Sequence, residues 1–240
     1  MAGRSKDEVR EHVWALMERE GAARFPGTRG RIPNFRGAEA AARRLAELPP
    51  WRTARTIKAN PDAPQLPVRV LALDQGKRVY VAVPRLRDRR PFLLLDPDRL
   101  RVPARRAASI RGAAAHGTAC ATHDVDPLDL VVCGSVAVDR RGARVGKGGG
   151  YSDLEFALLS EAGRITDRTV IVTTVHPLQV LDDRLPETEH DFRVDLIVSD
   201  EEVVRCRRVR RPAGILWGHL DEEKIGAIPS LAALHPGDGG

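Results

Sequence analysis

Aromatic side chains are scarce in this chain: Phe, Trp and Tyr together make up 4% of its 240 residues. Any core must be built instead from Val, Leu, Ile and Ala. Cysteine is rare too. Cys120, Cys133 and Cys206 are far apart, odd in number and without C-x-x-C spacing. That pattern excludes a disulfide framework and a zinc site, and points to reduced thiols. No apolar run approaches the ~20 residues of a membrane span. The opening MAGRSKDEVREH is too polar for a signal peptide. The expectation is a cytoplasmic chain with no membrane segment.

Lysine is also in short supply, most of the 39 basic residues being arginine. The formal net charge of +6 admits a polyanionic partner. Acidic residues are interspersed throughout, however, so no face is obviously all-positive and nucleic acid is the lesser alternative. A 42% hydrophobic fraction suffices for a core, and 30% charged residues suit an ordinary soluble surface. With no repeat and no internal linker, the reading is one α/β domain over 1–234, followed by a flexible tail over 235–240.

Ser5 to Glu8 forms an S-x-x-E capping box, so a helix should start at Lys6. Val9, Val13, Leu16 and Met17 then recur at helical spacing as its buried stripe. A second helix is expected over Gly37–Leu48, closed by Pro49-Pro50, then a strand over Thr53–Ile57 and a proline-rich loop from Asn60 to Pro67. Val68–Leu73 is ambiguous between helix and strand and is read as helix. Arg78–Val83 and Phe92–Leu95 read as strands, and 112–126 as a loose Ala- and Gly-rich stretch. Leu128–Val138 is nearly continuous in apolar residues and suits one central strand buried on both faces. A helix near Asp153–Glu161, strands at Thr169–Val175 and Val194–Ser199, and a short helix at Leu220–Ile228 follow. Alternating strands and helices imply a parallel-rich sheet flanked by helices on both faces, a Rossmann-like layering.

The chemistry concentrates before the Asp153 helix. Gly146-x-Gly148-x-Gly150 can turn backbone N–H groups toward a ligand with no side chains in the way. The following helix adds unpaired N–H donors at its positive end. Arg144 and Lys147 supply charge for phosphate oxygens, and Asp153 could hold a magnesium ion bridging them. The pattern is neither a Walker A loop nor a full dinucleotide fingerprint, and on its own it reads more readily as a flexible connection.

The stretch DLVVCGSVAVDRRGARVGKGGGYSDLEFALL resembles the signature of the 5-formyltetrahydrofolate cyclo-ligase family. Val138, Asp139, Gly142, Arg144, Val145, Gly146, Gly148, Gly150, Tyr151 and Asp153 fill its positions. EHDFRVDLIVSD (Glu189–Asp200) resembles a later block, and SKDEVREHVW the opening helix. Three further segments, RIPNFRGAEAAARRL, PRLRDRRPFLLLDP and RPAGILWGHLDEEKIGAIPSL, resemble a divergent branch that extends past the minimal cyclo-ligase at both ends. The resemblance implies an enzyme using ATP and Mg²⁺ to phosphorylate the formyl oxygen of 5-formyltetrahydrofolate. Ring closure then expels phosphate to give 5,10-methenyltetrahydrofolate. It implies catalytic roles for Arg144 and Lys147, and nucleotide contacts from Lys6, Arg10, Gly146, Gly148, Gly149 and Gly150. It implies further that Tyr151 lines the folate pocket and that Asp153 and Asp191 hold magnesium.

Two departures touch the substrate side. The family usually has Tyr-Tyr-Asp where this chain has Tyr151-Ser152-Asp153. Its pterin-reading Glu is missing from Arg55–Arg69, where Asp62 is the one acidic side chain available. The expectation is a retained nucleotide site with an altered substrate pocket, either a true cyclo-ligase or a paralogue acting on another small molecule. The rival is a non-catalytic nucleic-acid-binding module using Arg85–Arg90 and Arg205–Arg211. His176 reads as structural, His190 as either a neighbour of the metal or a surface residue, and Trp14, Trp51 and Trp217 as packing residues.

Overall fold

The computed structural model describes residues 3–209 and 211–236. Part of the expected tail, 237–240, and Arg210 of the basic segment lie outside the described residues. Helix α1 (Lys6–Arg19) starts where its capping box requires: the Ser5 hydroxyl accepts from the Glu8 N–H, and the Glu8 carboxylate from the Ser5 N–H. Val9, Val13 and Met17 are buried as expected, joined by Trp14, while Leu16 is half-buried.

Helix α2 (Ala38–Ala46) stops before the two prolines, which open helix α3 (Pro49–Thr53) rather than merely closing its predecessor. Proline suits a first helical turn, where its missing N–H leaves no bond unmade. This displaces the first strand: β1 is Thr56–Ala59, and Thr53 ends a helix. The expected loop to Pro67 is shortened for the same reason, since helix α4 (Leu66–Asp74) takes in Leu66 and Pro67. Strands β2 (Arg78–Ala82) and β3 (Phe92–Leu95) match expectation. Helix α5 (Ala104–Ala107) follows. The stretch expected to be loose is ordered: helix α6 (Ile110–His116), capped by Ser109 accepting from the Gly112 N–H, runs into strand β4 (Thr118–Cys120).

The apolar run Leu128–Val138 is two strands, not one. Strand β5 (Leu130–Cys133) lies in the main sheet and β6 (Ala137–Asp139) in a second one. The break is at Gly134, where a methyl group would lie 2.8 Å from Ile32 Cγ2 and 2.9 Å from Gln65 Oε1. Strand β7 (Arg144–Val145) pairs antiparallel with β6. Helix α7 (Tyr151–Glu161), strand β8 (Val170–Thr174) and the short strand β9 (Val180–Leu181) follow. Then come β10 (Leu196–Val198), β11 (Val203–Arg205), α8 (Glu222–Ala227) and α9 (Pro229–Ala232).

The main sheet has the order β11-β10-β8-β5-β1-β2-β3-β4. Its middle, β10-β8-β5-β1-β2, is parallel, and the three remaining pairings are antiparallel. Strand alternation divides the core: Leu130 and Val132 pack with residues of α2 and α4, Val131 and Cys133 with Phe156 and Leu158 of α7. Helices therefore cover both faces. The second sheet, β7-β6-β9, packs with the apolar side of α1. It anchors both the start of the glycine loop and the N-terminal helix.

Gly142, in the β6–β7 turn, has φ +90°, and a methyl group there would lie 2.3 Å from the Val194 carbonyl oxygen. That carbonyl belongs to backbone whose N–H bonds the Gly142 carbonyl, so neither side can yield cheaply. Gly142→Ala should lower stability by about 2 kcal/mol. The denaturant midpoint should fall with an unchanged m-value; an unmoved midpoint would show that the turn relaxes.

Candidate functional site

The eleven residues singled out from the sequence line one cavity of about 630 Å³. From α1, Lys6 and Arg10 reach different partners in it. Lys6 Nζ lies 2.5 Å from Asp191 Oδ2, and Arg10 Nε donates to the Gly146 carbonyl at 2.7 Å. Arg10 also packs along Gly148, its Cζ 3.5 Å from where a methyl group would sit. Gly148 (φ +104°) and Gly150 (φ +68°) hold left-handed backbone that L side chains rarely adopt. Gly150 is the N-cap of α7 and offers no side-chain bond, so the first N–H groups of that helix have no side-chain cap.

Arg144 lies at the back of the cavity, 3% exposed. Its Nη2 donates to Asp153 Oδ1 at 2.8 Å, and its Cζ sits 4.2 Å from the Phe192 ring centroid. Burial pulls the guanidinium's pKa down, but Asp153, with Cys133 and Asp191 nearby, raises it above its ordinary value. Its buried Nε has no partner. Lys147 is half-exposed at the rim and bonds Asp62 Oδ1 at 2.8 Å. Asp191 is held from two sides, by Lys6 and by the Thr188 N–H and hydroxyl. Burial pushes its carboxyl pKa up, but these bonds bring it below the ordinary value.

Among the described residues, no group of three or more His, Cys, Asp or Glu side chains converges as a metal cage. The donor set nevertheless suits magnesium. Mg²⁺ is commonly bound through one or two carboxylates, phosphate oxygens and water, and Asp153 and Asp191 line the same cavity.

The structure adds further residues to those eleven. Glu155, one helical turn along α7 from Tyr151, lines the cavity although it is buried. Its Oε2 pairs with Lys58 Nζ of β1, which is 2% exposed. Lys58 also donates to Asn60 Oδ1 at 2.5 Å, and Asn60 Nδ2 donates to Ser152 Oγ at 3.2 Å. Ser152 is thus part of a polar floor, not simply a lost aromatic. Lys224 Nζ bonds the Gly149 carbonyl at 3.0 Å and lies 4.0 Å over the Tyr151 ring. Arg85, at φ +59° beside Leu86 at φ +54°, lines the cavity from backbone that non-glycine residues rarely adopt.

Other candidates fall outside the cavity. His176 Nδ1 accepts from the Leu178 N–H and caps a helical turn. In the basic segment over 205–211, Arg208 and Arg211 are both committed to Asp195, at 3.2 and 2.6 Å. Trp14 and Trp51 are buried in the core.

Residues 2–200 match the 5-formyltetrahydrofolate cyclo-ligase family. The methenyltetrahydrofolate synthase domain-containing protein of Bos taurus is 40% identical over 97% of this chain, and that of Homo sapiens 36% over 97%. The chain spans 62% of the length of each of these relatives. The solved structure of Aquifex aeolicus 5,10-methenyltetrahydrofolate synthetase covers 86% of this chain and 95% of its own, with a TM-score of 0.52 at 23% identity. That likeness shows a shared fold. With the parallel centre of its sheet and its glycine loop both inside the matched region, the chain belongs to the 5-formyltetrahydrofolate cyclo-ligase family.

Proposed function

We propose that the protein is an ATP- and Mg²⁺-dependent enzyme that phosphorylates a carbonyl-type oxygen of a folate-like substrate, or of a related small molecule, and so drives ring closure. One observation carries the reading: the glycine loop, its flanking cations and both metal-ligating candidates face a single cavity. Nucleotide phosphates would lie on the N–H groups of Gly148–Gly150 and the start of α7, with Lys6, Arg10 and Lys147 around them. Asp153 and Asp191 would hold magnesium, which supplies charge neutralisation at the transferring phosphoryl group. Arg144 is a buried, positioned cation that orients Asp153. The substrate oxygen attacks the γ-phosphorus and ADP leaves. A nitrogen of the substrate then attacks the activated carbon and phosphate departs.

On the substrate side, the cavity's remaining carboxylates are Asp62 and Glu155, and each is already paired with a lysine. A pterin edge would have to compete with those ion pairs, so selectivity for 5-formyltetrahydrofolate is reduced. ATP with magnesium at 100 times its dissociation constant should stabilise the fold by ~2.7 kcal/mol. Turnover of 5-formyltetrahydrofolate, followed by methenyltetrahydrofolate absorbance, should fall well below an ordinary ~10 s⁻¹. No melting shift at millimolar Mg²⁺–ATP would overturn the nucleotide site. Turnover at the ordinary rate would overturn the altered pocket and make Asp62 and Glu155 the first residues to replace.

A further inference from the structure

A second cavity, of about 250 Å³, lies across the glycine loop from the first, and the two share Gly148, Gly149, Gly150, Asp153 and His190 as a common wall. One side is α7, through Leu154 and Ala157. The other is the C-terminal extension, through Gly214, Ile215, Leu216 and Leu220. This outer wall lies beyond residues 2–200, the part of the chain that matches the family.

The wall is built, not draped. Ile228 and Leu231 are 1% and 0% exposed and join the core beneath α7. Arg211 holds the extension to Asp195 at 2.6 Å, and the Ile215 N–H donates to Glu161 Oε2 at 3.2 Å. Gly214 passes so close to Glu161 that a methyl group there would lie 2.0 Å from Oε2. Apolar faces oppose each other across the slot, with His219, Asp221 and Lys224 at its edges. Lys224 bridges to the loop through the Gly149 carbonyl.

We propose that this slot receives the purine base of the nucleotide whose phosphates occupy the glycine loop. The inference rests on the nucleotide-site reading above. The slot's volume falls below the ~300 Å³ at which pockets for whole drug-sized ligands begin, so it suits one ring system and not a complete substrate. Opposed apolar walls fit the faces of a flat heterocycle, and at the edge Asp221, whose Oδ1 also accepts from the Lys224 N–H at 2.6 Å, presents a carboxylate to its N–H rim. The shared wall lets one ligand run from the slot, over the loop, into the larger cavity. The extension thereby becomes a specificity element that this chain adds to the matched region.

The test compares calorimetric binding of ATP and of inorganic tripolyphosphate, both with magnesium. Wild type should bind ATP at least tenfold more tightly. Leu216→Trp and Ala157→Leu fill the slot from opposite walls, and each should remove that advantage while leaving tripolyphosphate affinity unchanged. Equal affinity of wild type for both ligands would overturn the slot but keep the loop, as would an undiminished ATP advantage in the folded variants. Binding of neither ligand would overturn the nucleotide-site reading and the slot with it. Where a variant fails to fold, the wild-type comparison and the other variant still decide.

Discussion

Lys58→Met should cost about 3–5 kcal/mol of stability, the penalty for leaving one partner of a buried ion pair without the other. Glu155 is 6% exposed and its Oε2 is given to Lys58, so the variant strands a buried negative charge. Lys58 lies on a central strand, between β2 and β5. The double variant Lys58→Met with Glu155→Gln removes the charge as well and should recover most of the loss, a non-additivity expected of residues in contact. Denaturant midpoints of the three proteins check this at constant m-value. A loss below ~1 kcal/mol in Lys58→Met would mean that Glu155 is neutral or otherwise paired, and the polar floor would have to be redrawn.

Asp153→Asn should weaken ATP binding at least tenfold, about 1.4 kcal/mol, when magnesium is present. With magnesium chelated, variant and wild type should bind alike. The amide retains an oxygen that can accept from Arg144 Nη2, the bond now made by Asp153 Oδ1. The buried guanidinium is therefore not stripped of its partner, and the comparison isolates the metal. An equal loss under both conditions would make the carboxylate a positioning group for Arg144, or a favourable charge at the N-terminus of α7, without a metal role. A melting curve of the ligand-free variant distinguishes these from general destabilisation.

Local signals were legible where the physics is local. The Ser5–Glu8 box marks the start of α1, and the glycine spacing marks the loop, because each depends on residues a few positions apart. The run Leu128–Val138 misleads because apolar continuity carries no trace of what crosses it. The fold brings Ile32 and Gln65 against Gly134, where the run divides and where a side chain would be crowded. Glu155 is hidden in the same way. Its partner is 97 residues distant, and on a helix wheel it reads as one more acidic position. Composition held one unused clue. The sequence has 5 lysines and hence 34 arginines among its 39 basic residues. Of those lysines, Lys6 and Lys147 line the large cavity, Lys224 the small one, and Lys58 stands behind Glu155.

The two cations that grip the glycine loop come from the two ends of the described chain. Arg10 bonds Gly146 across 136 residues, Lys224 bonds Gly149 across 75, and Lys6 meets Asp191 across 185. Contacts of such separation close large loops and are disfavoured early in folding. Strand pairs such as β2–β3 can form well before them. On a ribosome, the loop receives its first clamp when the second sheet meets α1, and its second only after Lys224 has left the exit tunnel. A chain stopped short of Lys224 would carry the whole glycine signature and still lack one of the two contacts that shape it.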